Sequence, residues 1–278
     1  MIYLLLAIFS SSMIAIIMRL SADKVSGNIS MLATNYLICG LLGAAYAGFD
    51  LYVPEVAGFP LTVGMGICSG FFYLGGFMLF QTNTRRQGVV LSSIFMRLGL
   101  LVPILLSVIA FREVPTWLQT AGFCIALFAI VLINFRKENS GTGIRTGLIL
   151  LLLVSGSADA MSKVFERFAP AVLSNQYLFV TFTMALILCI GLMVYKKERP
   201  GAMELLYGTL IGIPNFFSSK FLLGALSRLP AVVVFPSFSV ATMLIVTLTG
   251  VVAFKERLSR HQWFALAAII VALVLLNV

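Results

Sequence analysis

The sequence predicts an all-α integral membrane protein of ten transmembrane helices, arranged as two inverted five-helix repeats. Three observations carry the prediction. Hydrophobic residues make up 60% of the 278 positions, charged residues only 10%, and mean hydropathy is +1.07, against roughly 25% charged residues in a soluble domain. A helix crosses the hydrocarbon in about 20 mostly apolar residues, and ten such stretches can be laid along the chain. One segment also occurs twice: Ser107 to Asn134 matches Gly250 to Asn277 without a gap, at a constant displacement of 143 positions (277 minus 134).

The predicted spans are 2–19, 31–49, 61–81, 88–111, 116–134, 146–165, 172–195, 204–226, 231–254 and 262–277. The first could be read as a secretory signal, but it has no basic leading region and its apolar run continues to Arg19, as in a retained helix. Pro54, Pro60, Pro115, Pro170, Pro200 and Pro230 fall in or beside loops, where a missing N–H costs least. Pro103, Pro214 and Pro236 fall inside spans 4, 8 and 9. There they mark either a packing kink or a break that faces a cavity. Gly64, Gly66, Gly70, Gly75 and Gly76 in span 3, and Gly208 and Gly212 in span 8, offer faces on which another helix can approach closely.

Five spans lie on each side of a polar linker at 136–143, giving a first repeat over 1–138 and a second over 144–278. An odd number of helices per repeat makes the second copy enter the membrane upside down, the plan of many secondary transporters. Lys and Arg are concentrated in the loops after spans 1, 3, 5, 7 and 9, from Arg19 and Lys24 to Arg257 and Arg260. By the positive-inside rule those loops face the cytoplasm and both termini face out.

The net charge of +9 sits in short loops and predicts no nucleic-acid partner. No phosphate-loop pattern, no Ser/His/Asp arrangement and no metal-ligand spacing occurs, so neither an enzyme nor a cofactor or metal site is expected. Cys39, Cys68, Cys124 and Cys189 occupy four different spans and read as packing residues, and the single histidine, His261, reads as an interfacial one.

The two closing segments carry a resemblance. AFRE at Ala110–Glu113 and AFKERLSRHQW at Ala253–Trp263, each followed by an apolar helix ending in LIN or LLN, resemble the drug/metabolite transporter superfamily, in particular its EamA-type ten-helix members. The resemblance covers the whole length. It implies a secondary transporter of small metabolites with a cavity lined mainly by helices 1, 3, 4, 6, 8 and 9. Members carry amino acids, nucleotide sugars, sugar phosphates and drugs, so the substrate does not transfer. Many are thought to keep both termini in the cytoplasm, opposite to the charge distribution here, which leaves orientation open.

Ionisable groups within a span cost roughly 2.5–3.5 kcal/mol on insertion scales and mark a pathway or a pair. Four stand out: Arg97 in span 4, Asp159 and Lys163 in span 6, and Lys220 in span 8. Arg97 and Lys220 correspond to Val240 and Phe77 in the repeat, so neither is a symmetric fixture. Asp159 and Lys163 share a helix face at i, i+4. They either neutralise each other or leave Asp159 to couple transport to protons. Uncompensated Arg97 and Lys220 point to an anionic substrate, with Arg97 offering a bidentate fork. Snorkelling is the plainer account of Lys220 and Lys163.

Tyr73, Asn215 and Ser219 join Arg97, Lys163 and Lys220 as candidate substrate-binding residues. Ser10, Ser11, Ser12, Ser92, Ser93 and Ser218 could add hydrogen bonds, and Phe216, Phe217, Phe235 and Phe238 an apolar wall. Glu113 and Glu256, beside Arg112 and Lys255, read as interfacial caps. The expected function is a secondary active carrier of a small metabolite, anionic in the sharper reading: an amino or organic acid or a phosphorylated metabolite. The alternatives are a flippase for a lipid-linked substrate and a passive channel. The expected partners are a small-molecule substrate and the lipid bilayer of a cell membrane, plasma or inner, crossed as a monomer or homodimer.

Overall fold

A computed structural model describes residues 1–278 apart from 22–23, 26, 88–94, 97, 135–145, 254–263, 265–266, 269, 273 and 276–278. Among the described residues all regular structure is helical. The helices are α1 (Ile2–Ser21), α2 (Asn28–Tyr46), α3 (Phe59–Gln87), α4 (Leu101–Phe111), α5 (Trp117–Asn134) and α6 (Thr146–Phe168). A 3₁₀ turn, Ala171–Leu173, then leads into α7 (Ser174–Lys196), followed by α8 (Ala202–Leu226) and α9 (Ala231–Ala253). Further helical residues lie between Phe264 and Leu275, inside the tenth predicted span. Five helical segments, Asn28–Tyr46, Phe59–Phe80, Thr146–Phe168, Ala171–Lys196 and Ala202–Leu226, are each long and apolar enough to cross a membrane; Ile2–Met18, Leu101–Phe111 and Ala231–Val246 are shorter apolar segments.

The chain forms two compact units. The first contains Met1–Leu74 and Met161–Arg228, the second Gly75–Ala160 and Leu229–Val278, so each unit draws on both halves of the sequence. In the first unit α2 packs against α7 and α8, and α1 against α8. The directions follow from paired positions. Gly43 meets Phe179 and Gly40 meets Thr183, so α2 and α7 are antiparallel. Gly208 meets Met31 and Thr34 while Gly212 meets Asn35 and Ile38, so α2 and α8 are parallel. Gly66 meets Tyr177 and Val180 and Gly70 meets Thr181 and Met184, so α3 runs parallel to α7.

Those glycines are needed for their smallness. A Cβ on Gly212 would lie 2.7 Å from the Ile38 Cβ and 2.9 Å from the Asn35 carbonyl oxygen; one on Gly208 would lie 2.5 Å from the Thr34 Cβ. On α3 the same collision recurs: Gly70 against the Met184 Cβ at 2.7 Å, and Gly66 against the Val180 Cβ at 2.8 Å. Helices in hydrocarbon gain little from burying apolar surface against each other, so backbone approach at small residues supplies the contact.

The helix ends show a second device. The first turn of α2 holds no acidic residue and its N-cap, Gly27, makes no side-chain cap, yet two N–H groups at its start find partners from elsewhere. The Ser30 N–H and hydroxyl both donate to Glu198 Oε1, at 3.1 and 3.0 Å, and the Gly27 N–H donates to Glu204 Oε1 at 3.1 Å. Two carboxylates thus sit at the positive end of the helix dipole, each worth about 0.3–1 kcal/mol.

In the second unit Glu113 plays the same part, its Oε2 accepting the Ala231 N–H at the start of α9 at 3.0 Å. Both Glu113 and Glu198 follow a basic residue in the left-handed region, Arg112 at φ 55° and Lys197 at φ 54°. That twist turns the next N–H back onto the helix just ended, Glu113 onto the Ser107 carbonyl and Glu198 onto that of Met193. The AFRE motif is therefore a helix stop whose carboxylate caps another helix. Its repeat partner, Glu256, lies outside the described residues.

Span 4 is interrupted beside Pro103, as expected, with the break lying just before the proline. Turn residues Gly99 and Leu100 precede α4, so Pro103 sits in the first turn of a helix, where its missing N–H removes no bond. Gly99 also approaches α6 closely: a Cβ on Gly156 would strike the Gly99 carbonyl and Val102. Pro214 and Pro236 do lie inside helices, α8 and α9.

Two alanine substitutions test the glycine contacts by thermal unfolding of the purified protein. Gly212→Ala should destabilise by about 1–3 kcal/mol through overpacking. Gly191→Ala, where an added Cβ meets nothing within 4 Å, should be neutral or slightly stabilising, since alanine is the better helix former.

Candidate functional site

On α8 the turn around Pro214 carries polar groups against α2. The Asn215 side-chain amide donates to Asn35 Oδ1 at 3.1 Å, and Asn35 is only 2% exposed. The Cys39 thiol lies 3.3 Å from the Gly212 carbonyl oxygen, which accepts from it. One turn on, the Ser218 hydroxyl reaches the Ala7 carbonyl of α1 at 3.4 Å, and Ser219 is buried beside it. This polar strip links three helices of the first unit, and it is held by the approach that Gly208 and Gly212 permit.

Lys220 continues the strip toward the end of α8. Its ammonium lies 3.4 Å from the centroid of the Tyr46 ring and 5.8 Å from that of Phe216. Tyr46 stacks on Phe216 with centroids 5.5 Å apart and meets Phe217 edge-on at 5.8 Å. Phe217 stacks on Phe221, which leans on Tyr3, and the Arg228 guanidinium carbon stands 4.5 Å over the Tyr3 ring. The Asn175 amide donates to the Tyr46 carbonyl at 2.8 Å and pins the end of α2. Among the described residues Lys220 makes no ion pair.

Lys163 is held differently. It is 3% exposed, and its ammonium lies 2.7 Å from Glu166 Oε2. Glu166 falls one residue beyond the predicted sixth span, but α6 runs on to Phe168 and includes it. The turn between them is fixed by Phe165, stacked on Tyr177 at 4.4 Å, whose hydroxyl donates to Ser69 Oγ at 3.1 Å. Tyr73 meets Phe182 edge-on at 5.9 Å, and Phe182 stacks on Tyr36 of α2 at 6.2 Å.

The first unit thus gathers Asn215, Ser219 and Lys220 on α8 and ties Tyr73 to α2 through Phe182, while Lys163 faces Glu166. Asp159 is half-buried on the part of α6 that belongs to the second unit. Arg97, Ser92, Ser93 and His261 lie outside the described residues. Ser12 returns its hydroxyl to the Ile8 carbonyl of its own helix, and Phe216 and Phe235 are buried packing residues. Among the described residues no group of three His, Cys, Asp or Glu side chains could hold a metal ion.

Sequence reading missed Asn35, Tyr46, Glu166, Glu198 and Glu204. Tyr46 and Asn35 lack any distinguishing pattern of their own. Glu198 had one: Tyr195–Glu198 reads YKKE, close to the FKE and FRE helix endings already singled out.

Comparison with known proteins bears on the whole chain. The model of the EamA-like transporter family matches residues 144–278. An uncharacterised protein of Haemophilus influenzae is 22% identical over 283 residues, covering 96% of this chain and 95% of the relative. A protein of known crystal structure superposes with a TM-score of 0.73 at 18% identity, covering 99% of this chain and 94% of that one, so the fold is shared over essentially the full length. The chain is an integral membrane protein.

The Lys163–Glu166 pair can be weighed by a mutant cycle. Lys163→Met should cost about 2 kcal/mol in thermal unfolding, because it strands a partly buried carboxylate. The double variant Lys163→Met/Glu166→Leu should recover at least half of that loss.

Proposed function

We infer that this chain, whose residues 144–278 match the model of the EamA-like transporter family, is a secondary active carrier that moves a small anionic metabolite across a cell membrane by alternating access. The family supplies the coarser part, a membrane transporter of small solutes. The carrier reading is supported above all by the opposed directions of repeat-equivalent helices within the first unit. α2 and α7 hold the same place in the two halves and run antiparallel, as inverted repeats require.

The glycine contacts strengthen this. The third helix of each half rests by two glycines one turn apart on the second helix of the other half: α3 on α7, and α8 on α2. Halves bounded at 1–138 and 144–278 would produce that exchange by duplication.

Lys220 supports the anionic substrate. With Lys163 facing Glu166, Lys220 keeps its charge uncancelled among the described residues, and Arg97 is assigned as the second anion-binding group from its place in span 4. Tyr73, Asn215 and Ser219 supply polar contacts, and Asp159 is assigned to proton coupling. A flippase for a lipid-linked substrate is the second reading. It is favoured by Lys220 and Arg228, two cations of the first unit that each stand over a tyrosine ring.

In proteoliposomes a carrier gives saturable counterflow, with uptake stimulated by solute on the far side. Lys220→Gln and Arg97→Gln should each reduce it by at least tenfold, with Lys220→Arg partly restoring it. Asp159→Asn should remove its dependence on a pH gradient. Linear, unstimulated flux would refute the carrier and leave a channel.

Crossing direction has its own check. Single cysteines replacing Lys24 and Arg199 should be labelled from the same side of intact vesicles, and a cysteine replacing Asp50 from the opposite side.

A further inference from the structure

We propose that Tyr46 and Lys220 form a seat for a monocarboxylate anion, with Tyr46 as the positioning residue that decides its strength. The proposal rests on the reading of the chain as a carrier of an anionic solute, and it narrows that solute's charge and headgroup.

The ammonium of Lys220 lies on the face of the Tyr46 ring at 3.4 Å, with Phe216 at 5.8 Å behind it. A ring face attracts a cation through its quadrupole but carries no net charge. The contact therefore orients the ammonium without neutralising it, and leaves N–H donors on the side away from the ring. Lys163, by contrast, is cancelled by Glu166 at 2.7 Å. Away from the helix ends of the first unit, Lys220 is the uncancelled charge among the described residues.

That charge selects its partner. At the seat itself the one ammonium is matched by one carboxylate, whereas a dianion would need a second cation beside it. A carboxylate is thereby favoured over hydrogen phosphate. The surroundings suit the organic part of such an acid: Tyr46 is exposed, and Phe217 stands edge-on to it at 5.8 Å. The Tyr46 backbone is fixed by the Asn175 amide and its ring by stacking on Phe216, so the seat is formed before an anion arrives.

The test reads Lys220 directly. Lysines of the purified full chain are ¹³C-dimethylated, and the Lys220 NMR signal is assigned by its loss in Lys220→Arg. A methyl group over a ring face is shifted upfield, so the signal should be upfield in the parent protein and in Tyr46→Phe, and at the ordinary position in Tyr46→Leu. Benzoate should move it saturably, at a concentration at least tenfold below that needed for inorganic phosphate at pH 8. Tyr46→Leu should weaken benzoate by roughly tenfold, the equivalent of losing one desolvated cation–π contact, while Tyr46→Phe restores it.

An unshifted Lys220 signal, no response to benzoate, or an equal response to phosphate would each overturn the seat. Counterflow distinguishes this from failure of the carrier reading. If counterflow survives while the NMR response is absent, the seat is wrong and the carrier stands; if counterflow is absent while benzoate still moves the signal, the seat stands and the carrier is wrong.

Discussion

Helices immersed in hydrocarbon have no water to escape, and what holds the first unit together is how closely their backbones can come. Four glycines set that distance: Gly66 and Gly70 on α3, and Gly208 and Gly212 on α8. The polar chemistry follows from them. Only because Gly212 lets α8 settle against Asn35 and Ile38 can the amides of Asn215 and Asn35 meet at 3.1 Å and the Cys39 thiol reach the Gly212 carbonyl. A larger residue at Gly212 would push apart the strip that leads to Lys220.

Much of the architecture was legible because the lipid environment simplifies the signal. Apolar runs gave the helices to within a few residues, since a spanning segment must satisfy its own backbone. Pro103 did mark a break in span 4, but not its place: a proline is harmless in a first turn, and no apolar pattern reveals that a helix restarts at Leu101. The composition of the two units was not legible at all, because hydropathy says where a helix lies in depth and nothing about its neighbours. The site was half legible for the same cause. Lys220 and Lys163 announce themselves as charges in apolar runs, but Tyr46 is one aromatic among 8 tyrosines and 23 phenylalanines, and Glu166 falls just past a predicted boundary.

The acidic residues divide by task. Glu113, Glu198 and Glu204 spend their carboxylates on the open N–H groups of other helices, which accounts for them without any transport role. The AFRE copy of the duplicated motif is therefore structural, and Arg112 and Lys197 contribute the backbone twist that aims each carboxylate. Lys220 falls outside this scheme. Its charge answers to a ring, and the duplication does not reproduce it, since Phe77 stands at the equivalent position.

The capping of α2 also constrains how the protein is made. Its start waits on Glu198 and Glu204, which lie 168 and 177 residues downstream of the groups they cap. At a ribosomal rate of about 5–20 residues per second those carboxylates emerge on the order of ten to thirty seconds after α2 itself. Until then α2 lacks its caps, and α1, α2 and α3 lack the completed α7 and α8 surfaces against which they pack. Assembly of α1, α2 and α3 into the first unit is therefore a late event that closes only when α8 is in place.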